Sequence, residues 1–179
     1  MANKIFPGRY TAQVNKDFAV FLIGMRINHF WNFRKWWPVS QAMGPMLQTL
    51  YQHPEKGFYG AENFFNLDGP TTLLLTYWDS FESIEQFARN PSDPHLEAWK
   101  TFRKAVGDDG TVGIWHETYL VRAGEHEAVY GNMPQFGLAK AFGHVPITAS
   151  IQTARQRISK PEAQALQEVP SISEPTSSA

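Results

Sequence analysis

The chain is expected to fold as an α+β domain, a ferredoxin-like (split βαβ) sheet with helices on one face. Three observations predict it. Residues 18–28, 58–67, 71–78 and 111–121 carry strand-like patterns, two intervening stretches have helical periodicity, and the order is strand–helix–strand–strand–helix–strand. A chain of 179 residues suits one domain with a substantial core. The boundaries read as an N-terminal arm over 1–17, the ferredoxin-like domain over 18–147, and a tail over 148–179. The tail is rich in Ser, Gln, Glu and Pro and is expected to be disordered beyond a short helix.

The first strand, F-A-V-F-L-I-G-M-R-I-N at 18–28, begins almost wholly apolar, as suits a central strand covered on both faces. Phe21, Ile23, Met25 and Ile27 share one side; Gly24, Arg26 and Asn28 share the other. From 29 to about 52, Trp36, Val39, Met43, Met46 or Leu47, and Leu50 recur at helical steps, and Gly44-Pro45 should kink or divide that helix. Residues 58–67 and 71–78 flank Asp68-Gly69, a hairpin signal. Asp79 with Glu82 resembles a capping box for a short helix, and Asp93-Pro94 supplies the N-cap and first position of the next. Leu96, Trp99, Phe102 and Val106 line that helix, and Gly107 stops it. The last strand of the core, T-V-G-I-W-H-E-T-Y-L-V at 111–121, alternates throughout, with Ile114, His116, Thr118 and Leu120 on one side. Residues 125–133 read as one more short strand and 134–147 as a loop.

Helices on one face leave the other face of the sheet bare, and this apolar composition predicts a second copy of the chain over it, a homodimer. The aromatic share of 14%, with six tryptophans, needs a core, a dimer interface or an apolar pocket to bury it. A formal net charge of −1 without a polybasic run excludes a nucleic-acid partner on electrostatic grounds. The absence of cysteine excludes disulfides, thiolate catalysis and zinc–thiolate sites. Residues 1–17 have no apolar central run, and the longest apolar stretch, 18–25, is too short to cross a bilayer. A soluble cytoplasmic protein without stable membrane insertion is therefore expected.

His116 is the leading candidate for chemistry. On the greasier face of its strand it can serve as a base, a hydrogen-bond donor to substrate, or a metal or haem ligand. The plainer alternative is a core histidine bonded to a backbone carbonyl or to Tyr77. Arg26 and Glu117 are expected to form a structural ion pair on the mixed face. No two-His-one-carboxylate or H-E-x-x-H spacing argues for a metal, and no phosphate-binding loop or nucleophile elbow is present.

The blocks F-L-I-G-M-R-I-N (21–28), T-Y-W-D-S-F-E (76–82), G-I-W-H-E-T-Y (113–119) and Y-G-N-M-P-Q-F-G-L (130–138) occur in order. Together they resemble the family named for a monooxygenase of the fungal fumagillin pathway, once catalogued as a domain of unknown function and related to antibiotic-biosynthesis monooxygenases. The resemblance implies a dimeric α+β barrel and a small oxygenase of secondary metabolism. Its substrate would be a hydrophobic terpenoid or polyketide-like molecule, and no organic cofactor is predicted. The family is also similar in fold to haem proteins, so a haem enzyme with His116 or another histidine as axial ligand is the alternative. A non-catalytic lipophile-binding protein is a third. Catalysis is assigned to His116 as base, with Tyr77 or Asn132 holding an enolate oxygen. Substrate binding is assigned to Met25, Asn28, Trp78, Trp115, Tyr119 and Asn132.

Overall fold

A computed structural model describes residues 4–158, so residues 159–179 of the expected tail lie outside the described residues. Inside the segment read as an arm, residues Phe6–Ala12 form a strand, β1. The ferredoxin-like core follows as β2 (Phe18–Ile27), α1 (Phe33–Gln41), α2 (Met43–Gln52), β3 (Phe58–Asn66), β4 (Thr71–Trp78), α3 (Phe81–Arg89), α4 (Pro94–Ala105) and β5 (Val112–Val121). Its sheet has the order β3-β4-β2-β5, and each neighbouring pair is antiparallel, as the split βαβ arrangement requires.

Local chemistry explains most boundaries. Pro45 has no N–H to donate back to Gln41, so the long helical stretch divides at Ala42. Ser80, not Asp79, caps α3: its Oγ accepts from the Ser83 N–H at 3.2 Å. Asp79 is drawn away by the Tyr59 hydroxyl at 2.6 Å and the Lys16 ammonium at 3.0 Å, which together hold its carboxyl below the usual range. Asp93 does stand at the N-cap position of α4, but its side chain makes no cap. The buried carboxylate instead accepts from Lys56 Nζ at 2.9 Å, tying α4 to the turn before β3.

The helices cover one face of the sheet. Met46, Leu50, Phe58, Leu74, Trp78, Ile84 and Phe87 are buried between the layers, and full burial of each Leu or Phe contributes about 1.5–3 kcal/mol. The other face is not bare. Downstream of β5, β6 (Tyr130–Met133), α5 (Leu138–Phe142) and β7 (His144–Pro146) return to it, and β1 pairs with β6 and β7 as a small sheet of order β6-β1-β7. This layer seats Ala12, Leu138, Ala141 and Phe142 on Phe18, Val20, Leu75, Tyr77 and Val121, covering one end of that face. The remainder carries Phe64 and Tyr119 exposed, with Leu22 and Trp115 half-buried. In the segment expected to be tail, Thr153 caps α6 (Ala154–Arg157), and the Arg157 guanidinium pairs with Glu127 at 2.5 Å.

His126 lies edge-on to Phe18 with ring centroids 5.6 Å apart, and its buried Nδ1 has no partner among the described residues. Burial lowers its pKa from the ordinary value of 6.5. As pH falls through that value the unfolded chain takes up the proton first, so stability is full above it and is lost toward the lower folded pKa. His126→Leu is expected to flatten the denaturation midpoint against pH below 6.5. An unchanged slope would remove His126 as the cause.

Candidate functional site

Between the sheet and the helices lies a cleft of about 1080 Å³. Its floor is read directly from the strand register. Asn63, Leu74, Ile23 and His116 form one row across β3, β4, β2 and β5, and Ala61, Thr76, Phe21 and Thr118 form the next. Met25 and Ile114 continue the floor toward α1. At a strand spacing of about 4.8 Å, Asn63 and His116 stand about 14 Å apart on the two edge strands, with an apolar centre between them. Met43 and Met46 of α2, Ile84 and Ala88 of α3, and Ala98, Trp99 and Phe102 of α4 form the walls. Such a space suits a hydrophobic small molecule oriented by a few polar groups.

His116 is one of those groups. Alternation on β5 and its register opposite Ile23 turn it toward the helices. Its ring stands 5.7 Å from that of Phe21, tilted by 41°. The imidazole is exposed to the cleft rather than enclosed, and it has no hydrogen-bond partner among the described residues. A second imidazole, His95 in the first turn of α4, lines the same cleft, with Nδ1 3.0 Å from the Ala88 carbonyl oxygen. Two acidic side chains reach the lining, Glu85 and Asp108; Glu85 is engaged by Arg89 at 2.8 Å. No group of three or more His, Asp or Glu able to hold a metal occurs among the described residues.

The other expected site residues are dispersed. Met25 is on the cleft floor. Tyr77 is not beside His116: it pairs with Val20, on the opposite face of the sheet, beneath α5. There its buried phenol has a pKa raised to about 12, chiefly by desolvation. Asn132 belongs to β6, at φ 52°, and its Oδ1 accepts from the Gly8 N–H at 2.9 Å, a bond within the small sheet. Trp78 is 3% exposed in the core, with Nε1 donating to Thr76 Oγ1 at 2.8 Å. Trp115 and Tyr119 point to the face opposite the cleft, with Glu117 between them along β5. Asn28 spans the end of the sheet, donating from Nδ2 to the Gly110 carbonyl at 2.9 Å.

Arg26 and Glu117 do not form the expected pair. Arg26 stands opposite Gly113 and Glu117 opposite Leu22, four positions along the strand. Glu117 accepts from the Tyr119 hydroxyl at 2.5 Å, while the Arg26 guanidinium packs on Gly69 in the β3–β4 turn. His95, Asn63 and Thr118 are cleft residues outside the expected site; for His95 the sequence favours a capping or surface role over roofing a pocket. For His95 a signal exists, since His95, Trp99 and Phe102 follow an i, i+4, i+7 stripe on α4. For Asn63 none does, because which face of an edge strand is buried depends on the register of its neighbours.

Comparison with known proteins agrees with this architecture. Monooxygenase af470 of Aspergillus fumigatus is 28% identical over 148 residues, covering 72% of this chain and 52% of that protein. The chain thus spans about half the length of the curated relative it matches. The aldoxime dehydratase OxdRE, solved in complex with butyraldoxime, superposes with a TM-score of 0.58 at 16% identity, over 76% of this chain and 39% of that one. A second aldoxime dehydratase structure gives a TM-score of 0.57 at 16% identity, over 79% and 43%. These two likenesses are of fold. The model of the family described as monooxygenase af470-like matches residues 18–138, more than half of the sequence, and the chain belongs to that family.

Proposed function

We propose that this chain is the substrate-binding and catalytic unit of a small oxygenase acting on a hydrophobic, terpenoid or polyketide-like molecule. The observation that carries the reading is one imidazole, His116, without a hydrogen-bond partner among the described residues, on the floor of a large apolar cleft. Membership of a monooxygenase family supports oxygenation as the chemistry.

In this reading the substrate supplies all four electrons that dioxygen takes up. His116 takes a proton from an acidic methylene, and the carbanion passes an electron to dioxygen. Radical recombination forms a carbon–oxygen bond, the imidazolium returns its proton to the resulting peroxide, and loss of the second C–H proton with cleavage of the O–O bond releases water and leaves a carbonyl. One oxygen atom enters the product and the other leaves as water, so CH₂ plus O₂ gives C=O plus H₂O without an external reductant. The apolar walls exclude water from the carbanion. Tyr77 and Asn132 play no direct part, since both lie behind the sheet. Thr118, one position along the floor on the same side as His116, is placed to donate to the enolate oxygen.

Anthrone, whose single activated methylene becomes the second carbonyl of anthraquinone by this stoichiometry, is a suitable probe. Catalysed oxygen uptake with anthrone, lost in His116→Ala, is the expected result. Acceleration that survives His116→Ala in a folded protein rules out His116 as the base.

His116 would also fit a haem, because an imidazole without a hydrogen-bond partner among the described residues, facing a wide apolar cleft, is free to bind iron. A bound haem would supply the oxygen-activating or redox chemistry, with His116 holding the iron and the cleft walls packing the macrocycle. An absorption spectrum after haem titration separates the two readings. A stoichiometric Soret band lost in His116→Ala supports haem, and an unchanged spectrum of free haem supports the cofactor-free reaction. Saturable anthrone binding without turnover under either condition would make the chain a lipophile carrier.

A second copy of the chain is the proposed cover for the rest of the outer sheet face, around Leu22, Phe64, Trp115 and Tyr119. Sedimentation is expected to give a dimer that Phe64→Glu dissociates by at least tenfold in Kd. A wild-type monomer at micromolar concentration would remove this proposal. No helix among the described residues is long and apolar enough to cross a membrane.

A further inference from the structure

The second imidazole of the cleft carries a statement about the substrate. The Ala88 carbonyl oxygen can only accept a hydrogen bond, so the His95 nitrogen 3.0 Å from it, Nδ1, must carry a proton. In the neutral ring Nε2 is then bare, a lone pair without a hydrogen-bond donor among the described residues. The ring is held in place. Its residue follows Pro94 in the first turn of α4, Asp93 just before it is locked to Lys56 at 2.9 Å, and the Phe87 ring stands 6.5 Å away. Pro94, Ala98, Trp99 and Phe102 continue the same wall, all without charge.

An acceptor fixed in an apolar wall selects for a donor on the ligand. Burying the lone pair under a wholly apolar molecule would cost the water it had bonded, whereas a hydroxyl on the ligand replaces that water. We infer that His95 is a specificity-determining residue that accepts a hydrogen bond, through Nε2, from a phenolic or enolic hydroxyl of the cleft's ligand. The substrate class is thereby narrowed from any lipophile to a hydroxylated, ring-bearing one. The inference rests on the cleft being the substrate site, as proposed above. It also joins the two imidazoles in one scheme: His95 draws on the hydroxyl proton and raises electron density on the ring carbon, while His116 lines the same cleft from the edge strand β5.

The test uses two ligands of matched shape, 1-naphthol and 1-methylnaphthalene, titrated into the full chain and followed by tryptophan fluorescence, to which Trp99 in the wall contributes. The wild type is expected to bind the naphthol about five- to tenfold more tightly, the scale of one net hydrogen bond. His95→Ala is expected to bring the ratio to about one through loss of naphthol affinity, with His95→Gln restoring part of it through the Gln carbonyl oxygen. Nitrogen-15 NMR of wild-type imidazoles gives a readout that needs no variant, with protonated Nδ1 and bare Nε2 expected at His95.

A cleft that binds neither ligand overturns the reading of the cleft as a lipophile site, and this inference with it. Equal binding of both ligands by the wild type overturns the role of His95 alone. So does an Nε2-protonated tautomer, or discrimination that survives His95→Ala and vanishes in His116→Ala.

Discussion

Replacing His116 with alanine is expected to lower the catalysed rate of anthrone oxidation at least a hundredfold while leaving the fold intact. The size follows from general-base catalysis, which contributes about 10²–10⁴-fold when a positioned side chain takes the proton in the transition state. Preservation of the fold follows from the position. His116 sits on an edge strand, is exposed to the cleft, and makes no hydrogen bond whose loss would strand a partner. Truncation removes one ring contact, with Phe21 at 5.7 Å, and should shift stability by no more than about 0.5 kcal/mol, the range for surface substitutions. The measurement is oxygen uptake beside a urea midpoint on the same preparation. A loss of turnover that tracks a loss of folded protein would make His116 a structural residue.

Gly24→Ala is expected to be the most damaging small substitution in the sheet. A Cβ at that position would lie 2.0 Å from the Thr72 carbonyl oxygen and 2.8 Å from the Trp115 indole nitrogen. The indole can swing outward, but the carbonyl belongs to the backbone of β4, the direct neighbour of β2. Relief therefore requires the central strands to part, with a cost of about 3 kcal/mol, the upper end for overpacked cores. Gly44→Ala, in α2 with nothing within 4 Å of the added carbon, should instead be neutral or stabilising by up to about 1 kcal/mol through helix propensity. Urea denaturation of the two variants reads this difference directly. Equal midpoints would mean that β2 and β4 separate there at little cost.

The residues that carried the fold did so by pattern alone. The period-two stretches placed β2 and β5 with the correct sides, so His116 was legible as a helix-facing residue from Ile114 and Thr118 around it. Asp68-Gly69 placed the β3–β4 hairpin, and Gly44-Pro45 marked the division of the first helical stretch one turn from where it occurs. Burial patterns and turn chemistry are local, and a local signal survives in one dimension. The same is true of Asp93-Pro94, which located the start of α4 even though the carboxylate went elsewhere.

What only the tertiary structure decided involves pairs distant in sequence. Tyr77 looked like a partner for His116 because both are polar groups in core strands. Its pairing with Val20 rather than with a floor residue puts the sheet itself between them. Arg26 and Glu117 share a face, yet the register sets them four positions apart, and register depends on how two strands slide, not on either strand's composition. Residues 6–12 are too polar to announce a strand, and they become one because β6 and β7 return to pair with them. His95 was visible as a histidine after a helix start, but its tautomer is set by a carbonyl seven residues upstream, brought to it by the packing of α3 on α4. The sequence by itself determined the strands and helices of the ferredoxin-like core and the faces that β2 and β5 present. Their mutual register, and hence which polar groups share the cleft, came from the packed three-dimensional fold, because hydrogen bonds between strands and contacts between layers are made only there.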